Sequence, residues 1–173
     1  MSQTFYCTTP IYYVNSNPHI GHAYTTIVSD AIIRFRRLFG EDAYFLTGTD
    51  EHGQKIAESA AKAKMEPQAF VDMMTQKFKE LWPELHIEPD QFIRTTEERH
   101  KQIVQQILQQ IYDNGEIFLK EYEGHYCVGC EEFLNEIELV EGQCPTHQKA
   151  PEFRQERNYC LLYTSPSPRD WLQ

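Results

Sequence analysis

The feature that most constrains this chain is a strand that hands over to a helix across fourteen residues, Thr9-Pro10-Ile11-Tyr12-Tyr13-Val14-Asn15-Ser16-Asn17-Pro18-His19-Ile20-Gly21-His22. Before it, a short apolar run from Thr4 to Thr9 reads as a strand. After it, apolar residues fall at 20, 24, 27, 28, 31, 35 and 38, which is helical spacing. Ligands of open α/β sheets bind at this kind of junction, at a strand's carboxyl end, where the helix's unpaired N–H groups favour anions. Pro18 suits the helix start because its missing N–H costs nothing there. His19 and His22 are three apart and share one face of the first turn. Gly21 between them lets a flat ring or a phosphate approach the backbone. Two imidazole N–H donors with a helix dipole suit a phosphate whose charge builds during a reaction. Taken alone, H-x-x-H also fits two ordinary surface histidines beside a helix start.

The next segments extend the pattern. Gly40 stops the first helix, and residues 42–47 alternate as a second parallel strand before Gly48-Thr49-Asp50-Glu51-His52-Gly53. Asp50 then lies at a strand's carboxyl end beside the His19 turn. It either caps the helix that begins near Gln54 or serves the cleft, and capping alone would not ask for Glu51 and His52 as well. Pro67 opens a helix with apolar residues at 70, 71, 74, 78, 81, 82 and 85. Met73, Met74, Phe78 and Trp82 keep its helical period, so core packing explains them better than a ligand pocket. A short strand, Gln91 to Thr95, leads through Thr95-Thr96-Glu97-Glu98, a capping box, into a helix closed by Asn114-Gly115. Three strands with intervening helices make the first half of a doubly wound, Rossmann-like α/β fold with a parallel sheet.

From Ile117 the character changes to short strand-like pieces, Phe118 to Tyr122, His125-Tyr126 and Phe133 to Val140. Among them stand Cys127-Val128-Gly129-Cys130 and, thirteen residues later, Cys144-Pro145-Thr146-His147. Two pairs of ligands with this spacing present four donors at the corners of a tetrahedron, as structural zinc requires; a catalytic zinc would keep one position open. His125 shares a strand face with Cys127 and competes as a ligand, but it breaks the pairing. Cys7 and Cys160 complete an odd count of five cysteines, which argues against a disulfide framework.

These residues resemble a known family. The fourteen-residue stretch resembles the HIGH signature of class I aminoacyl-tRNA synthetases, and Thr9 to Asn15 looks like the methionyl-tRNA synthetase form of it. The Gly48–Gly53 block is similar to the block whose aspartate, here Asp50, holds the amino group of methionine. The knuckle resembles the zinc-bearing connective-peptide insertion of a bacterial type of that family. The resemblance runs from about Thr4 to Tyr159, with three motifs in order. It implies ATP-dependent activation of methionine to methionyl-adenylate and transfer to tRNA(Met). His19 and His22 would act on the phosphates, Gly21 and Asn15 would complete the ATP site, and Ile11 and Tyr13 would touch the methionine side chain. Tyr12 belongs to the motif, though turn packing explains it as well. The implied ions are one structural Zn2+, on Cys127, Cys130, Cys144 and His147, and Mg2+ accompanying ATP as substrate.

Composition bounds the alternatives. The chain has 173 residues, is 40% hydrophobic and carries a net charge of -10, as a globular protein without an extended nucleic-acid surface does. Only Arg34, Arg36 and Arg37 cluster, and a solvated helix face explains them. No apolar run spans a membrane, and Met1-Ser2-Gln3 leads into the first strand without a leader peptide, so a cytoplasmic location is expected. Expected boundaries are 1–115 for the first half of the catalytic domain, 116–157 for the knuckle insertion and 158–173 for a return segment. After Tyr159 the family pattern stops. The Ser-Pro repeat from Cys160 onward has no period and reads as a non-native, extended or disordered tail. The KMSKS loop, the remaining strands and the anticodon-reading domain have no counterpart here, so these residues alone are expected to be inactive. Two other readings fit parts of the chain: another nucleotidyl transferase with an H-x-G-H turn, and a non-catalytic zinc-knuckle module with a relic nucleotide fold.

Overall fold

The computed structural model describes residues 4–162. The tail from 163 onward, including the Ser-Pro repeat, lies outside the described residues. Two compact units divide the chain, Met1–Gln102 and Ile103–Gln173.

The first unit is a parallel sheet with helices. Strand β1, Thr4–Thr8, is followed by the two-residue β2, Tyr12–Tyr13, then helix α1, Ile20–Leu38, and strand β3, Asp42–Asp50. Helices α2, Gln54–Lys62, and α3, Pro67–Glu84, precede strand β4, Gln91–Arg94, and the unit ends inside helix α4, Glu98–Asp113, the larger part of which belongs to the second unit. β3 is the centre: β1 and β2 pair with its two ends in parallel, and β4 pairs with Leu46–Thr49. The first expected strand is present as β1, and a second, two-residue strand follows it that the sequence reading did not expect. Pro10 has no N–H for the ladder, and the chain rejoins β3 only at Tyr12. Thr9 bridges the break through its N–H to the Leu46 carbonyl (3.1 Å) and its hydroxyl to that of Thr47 (2.7 Å).

Gly48 sits where β3 and β4 approach most closely. A Cβ there would stand 2.1 Å from the Ile93 carbonyl oxygen, so any side chain would force the strands apart. The core gathers Tyr12, Val14, Phe45, Phe70, Phe78 and Trp82 among others. Met74, Phe78 and Trp82 are buried while Met73 is exposed, so the α3 stripe is core. Arg34, Arg36 and Arg37 pair with Asp30, Glu41 and Asp90.

The second unit is a ribbon with the knuckle at its tip. Strand β5, Ile117–Cys127, pairs antiparallel over ten positions with β7, Glu152–Leu161, and at its end with the short β6, Glu132–Leu134. Gly124 does not break β5 into two pieces. The expected strand from Phe133 to Val140 ends at Leu134 and turns into a 3-10 helix, Glu136–Glu138, opened by Asn135. Residues 152–161 form a strand that the sequence hid, since its half-buried positions include the charged Arg154 and Glu156 while Phe153, Tyr159 and Leu161 are exposed, leaving no polar–apolar alternation to read. Cys160 and Leu161 belong to that strand and pair with Phe118 and Ile117. Among the described residues, no helix is long and apolar enough to cross a membrane.

Candidate functional site

His19 is the N-cap of α1 in extended conformation, and it forms a reciprocal capping box with His22. The Gly21 N–H donates to His19 Nδ1 (3.1 Å), and the His19 N–H donates to His22 Nδ1 (3.1 Å). Imidazoles thus do the work usually done by Ser and Glu. The consequence is chemical. Each Nδ1 is used as an acceptor, so in the neutral ring the proton stands on Nε2 and both rings keep one N–H donor free of the helix. The rings lie 3.8 Å apart. Burial, then the neighbouring His19, lowers the pKa of His22 below the ordinary histidine value, which favours the neutral donor.

Gly21 is required by this cap. A Cβ there would lie 2.9 Å from His19 Cε1, so the space above the glycine is first of all the seat of that imidazole. Tyr12 supports the corner from below. It is buried, its hydroxyl bonds that of Thr26 on α1 (2.7 Å), and its ring meets the edge of His22 and stacks on Phe78. Turn packing is its role in this structure. Ile11 and Asn15 are exposed, and Tyr13 is half-buried. Asn17, not singled out by sequence, accepts a hydrogen bond from Lys77 of α3 (2.8 Å).

Asp50 ends β3 as the register partner of Tyr13, so adjacent residues of β2 connect the histidine corner to the carboxylate. It does not cap α2. The N-cap there is Gly53, which makes no side-chain cap bond. Among the described residues the half-buried Asp50 carboxylate has no hydrogen-bond or ion-pair partner. An acceptor so placed is ready for a cationic ligand.

Its neighbour Glu51 is the opposite case. Its side chain is 0% exposed and receives both Arg94 nitrogens, Nε to Oε1 at 2.7 Å and Nη2 to Oε2 at 2.9 Å. The hydroxyls of Thr49, Thr75 and Thr96 also donate to it. Burial alone would raise its pKa, but these donors, Arg94 first, overcome burial and hold the carboxyl below its ordinary value. The expected capping box at Thr95-Thr96 is a correction. Thr96 donates to Glu51, and Thr95 accepts the Glu51 N–H (2.9 Å), because a buried carboxylate competes better for them than exposed helix amides. Sequence offered a faint signal for this network, an Arg and two Thr at the end of the strand beside the one that leads into Glu51.

In the second unit, Cys127, Cys130, Cys144 and His147 bring one ligand atom each within 4.8 Å of one another. Sulfur to His147 Nδ1 distances are 3.8, 3.3 and 3.8 Å, and Cys130 and Cys144 sulfurs are 3.5 Å apart. A tetrahedral ion with bonds of about 2.0 to 2.3 Å needs edges of roughly 3.3 to 3.8 Å, so these spacings suit a metal ion. His125 is not among them; its Nε2 is 3.9 Å from a Glu136 oxygen.

The two halves of the knuckle share one backbone device. Glu131 N–H bonds the Cys127 carbonyl and Gln148 N–H bonds the Cys144 carbonyl, each at 2.8 Å, and both donors have left-handed φ, 58° and 50°. Sequence missed Gly129. A Cβ there would sit 2.5 Å from the His147 ring, so only glycine lets this ligand swing in. A glycine between two ligands was the available signal.

The model of tRNA synthetases class I (M) matches residues 5–166. A methionine--tRNA ligase from Thermotoga maritima is 52% identical over 159 residues, covering 90% of this chain and 25% of that protein. A chloroplastic/mitochondrial methionine--tRNA ligase from Arabidopsis thaliana is 49% identical over 158 residues, covering 91% of this chain and 26% of that protein. Among solved structures, Mycobacterium tuberculosis methionyl-tRNA synthetase in complex with methionyl-adenylate matches with a TM-score of 0.83 and 38% identity, covering 91% of this chain and 32% of that one. An Agrobacterium radiobacter LeuRS in a ternary complex, at 17% identity and TM-score 0.76, shows the fold alone. The chain thus spans about a quarter of the length of these curated relatives. With the paired histidines, the Asp50 strand end and the Cys3His cluster in the same order along one chain, it belongs to the class I tRNA synthetase family, in its methionine (M) branch.

Proposed function

We propose that this chain supplies the nucleotide corner and the amino-acid anchor of a methionine–tRNA ligase. What supports the reading is a helix start whose two imidazoles have their Nδ1 atoms engaged by the cap, following β2, together with Asp50 at the end of β3, which pairs with β2, its carboxylate without a partner among the described residues. His19 and His22 bind the phosphates of ATP and stabilise the charge that develops when the methionine carboxylate attacks the α-phosphorus and pyrophosphate leaves. Asn15 and Gly21 complete the ATP site, Asp50 holds the methionine ammonium, and Ile11 and Tyr13 face its side chain. No covalent enzyme intermediate is involved; the corner works by positioning and by charge. The methionyl group then passes to the terminal ribose of tRNA(Met). Relatives bearing the name methionine--tRNA ligase support this substrate pair.

Zn2+ fits the Cys3His cluster as a structural ion, and Mg2+ accompanies ATP as part of the substrate. Residues 1–115 act as the first half of the catalytic domain, 116–157 as the knuckle insertion and 158–173 as the return segment. The cytoplasm is the proposed location.

The test is methionine-dependent exchange of pyrophosphate into ATP by the whole synthetase that contains this segment, with leucine and isoleucine as controls. Exchange with methionine alone is expected, with its loss in His19→Ala and Asp50→Ala. Exchange that does not depend on methionine would send the corner to another nucleotidyl transfer. Residues 1–173 by themselves are expected to show little or none.

A further inference from the structure

We infer that Glu51 is a positioning residue for Asp50, and thereby for recognition of the substrate's ammonium group. The inference rests on the function proposed above and goes beyond it, since the Glu51 carboxylate is taken up by donors of the protein itself.

Successive side chains of a strand point to opposite faces. The Thr49 hydroxyl donates to Glu51 Oε1 at 2.6 Å, so both residues turn to one face, where Thr75 of α3 and Arg94 of β4 meet them. Asp50, between them, is left to the other face with its register partner Tyr13. The backbone is stitched at the same place. Thr95 N–H donates to the Thr49 carbonyl (3.3 Å), Glu51 N–H donates to the Thr95 hydroxyl (2.9 Å), and His52 Nε2 donates to the Thr95 carbonyl (3.3 Å). Of the four residues Thr49 to His52, three have their side chains tied to the network and one, Asp50, has none among the described residues.

Arg94 is held in turn by Asp72 of α3 at 2.5 Å, so the clamp joins β3, β4 and α3. A buried charge with five side-chain hydrogen bonds from four residues is more than helix capping or strand pairing requires. Its effect is to fix the twist and face of the strand end, and so the direction in which Asp50 points.

The test uses the whole synthetase carrying Glu51→Gln, which keeps the shape and removes the charge, and Thr75→Val, which removes one donor to Glu51. With Glu51→Gln the KM for methionine and the Ki of methioninol, which keeps the ammonium and lacks the carboxylate, should both rise on the order of tenfold, while the KM for ATP stays within about twofold. Thr75→Val should move the same two constants in the same direction, by about two- to threefold. Equal rises for methionine and ATP, or a folded Glu51→Gln enzyme with an unchanged methionine KM, would overturn the inference. If Glu51→Gln does not fold, Thr75→Val decides by the same criteria. If the parent enzyme shows no methionine-dependent exchange, the synthetase reading fails, and the crystal structure of either folded variant judges this one. An Asp50 carboxylate displaced by about 1 Å supports it, and one left in place overturns it.

Discussion

The two units reach order by different physics. In the first, Val14, Phe45 and Phe78 are 0% exposed and the functional turn is laid on top of them. In the second, the buried residues among those described are Cys127 and Cys144, and the large apolar side chains of α4, β5 and β7 are substantially exposed. Burial of apolar surface organises one unit, and four ligand atoms organise the tip of the other. A sheet core can tolerate a poor contact because many others remain, whereas a four-point cluster has no spare.

The sharpest way to break this contrast is to take the metal away. A strong chelator, or Cys144→Ala, should abolish amide protection across residues 127–151 in hydrogen exchange while β3 and α3 keep theirs. Protection that survived in the knuckle would mean that its backbone turns suffice. The converse lesion is Phe78→Ala, expected to cost the first unit about 3–5 kcal/mol by denaturant titration while metal stoichiometry is unchanged. Gly129→Ala pushes a methyl into the His147 ring, and metal affinity measured by competition should fall about 10- to 100-fold. Acid gives a milder probe. Glu51 has its pKa lowered in the fold, so its contribution is present above the unfolded carboxyl value and is lost as pH falls through the folded one. Fluorescence of the buried Trp82 should report a first unit whose acid sensitivity is reduced in Glu51→Gln. Smallest is Gly21→Ala, where the new methyl displaces the His19 ring and the weakened cap costs about 1 kcal/mol by thermal melt.

What could be read from residues alone follows the same division. Periodicity revealed α3 and the parallel strand at β3, because a helix or strand with one buried face must repeat at 3.6 or 2; the apolar stripe that suggested α1 is exposed among the described residues, and its buried side is Thr26, Ser29 and Ile33. Ligand spacing revealed the knuckle, because a tetrahedron constrains which neighbours can share an ion. Hidden were contacts with no local period. Thr95 and Thr96 looked like a cap because sequence shows a helix start and cannot show a carboxylate buried beside it from forty-five residues away. Gly48, Gly129 and Gly21 look alike in sequence, yet one makes room for a neighbouring strand, one for a metal ligand and one for a capping imidazole. β7 escaped notice because its partner β5 is a charged ribbon with little apolar alternation.

The ten-rung pairing of Ile117–Tyr126 with Glu152–Leu161 carries a consequence of its own. It works as a stalk: the chain leaves at Tyr126 and comes back at Glu152, opposite the point of departure. Whatever lies beyond is a head on a handle, and extra length there adds only a logarithmic closure cost. Evolution can therefore enlarge, shrink or exchange the head while the handle below it keeps its register.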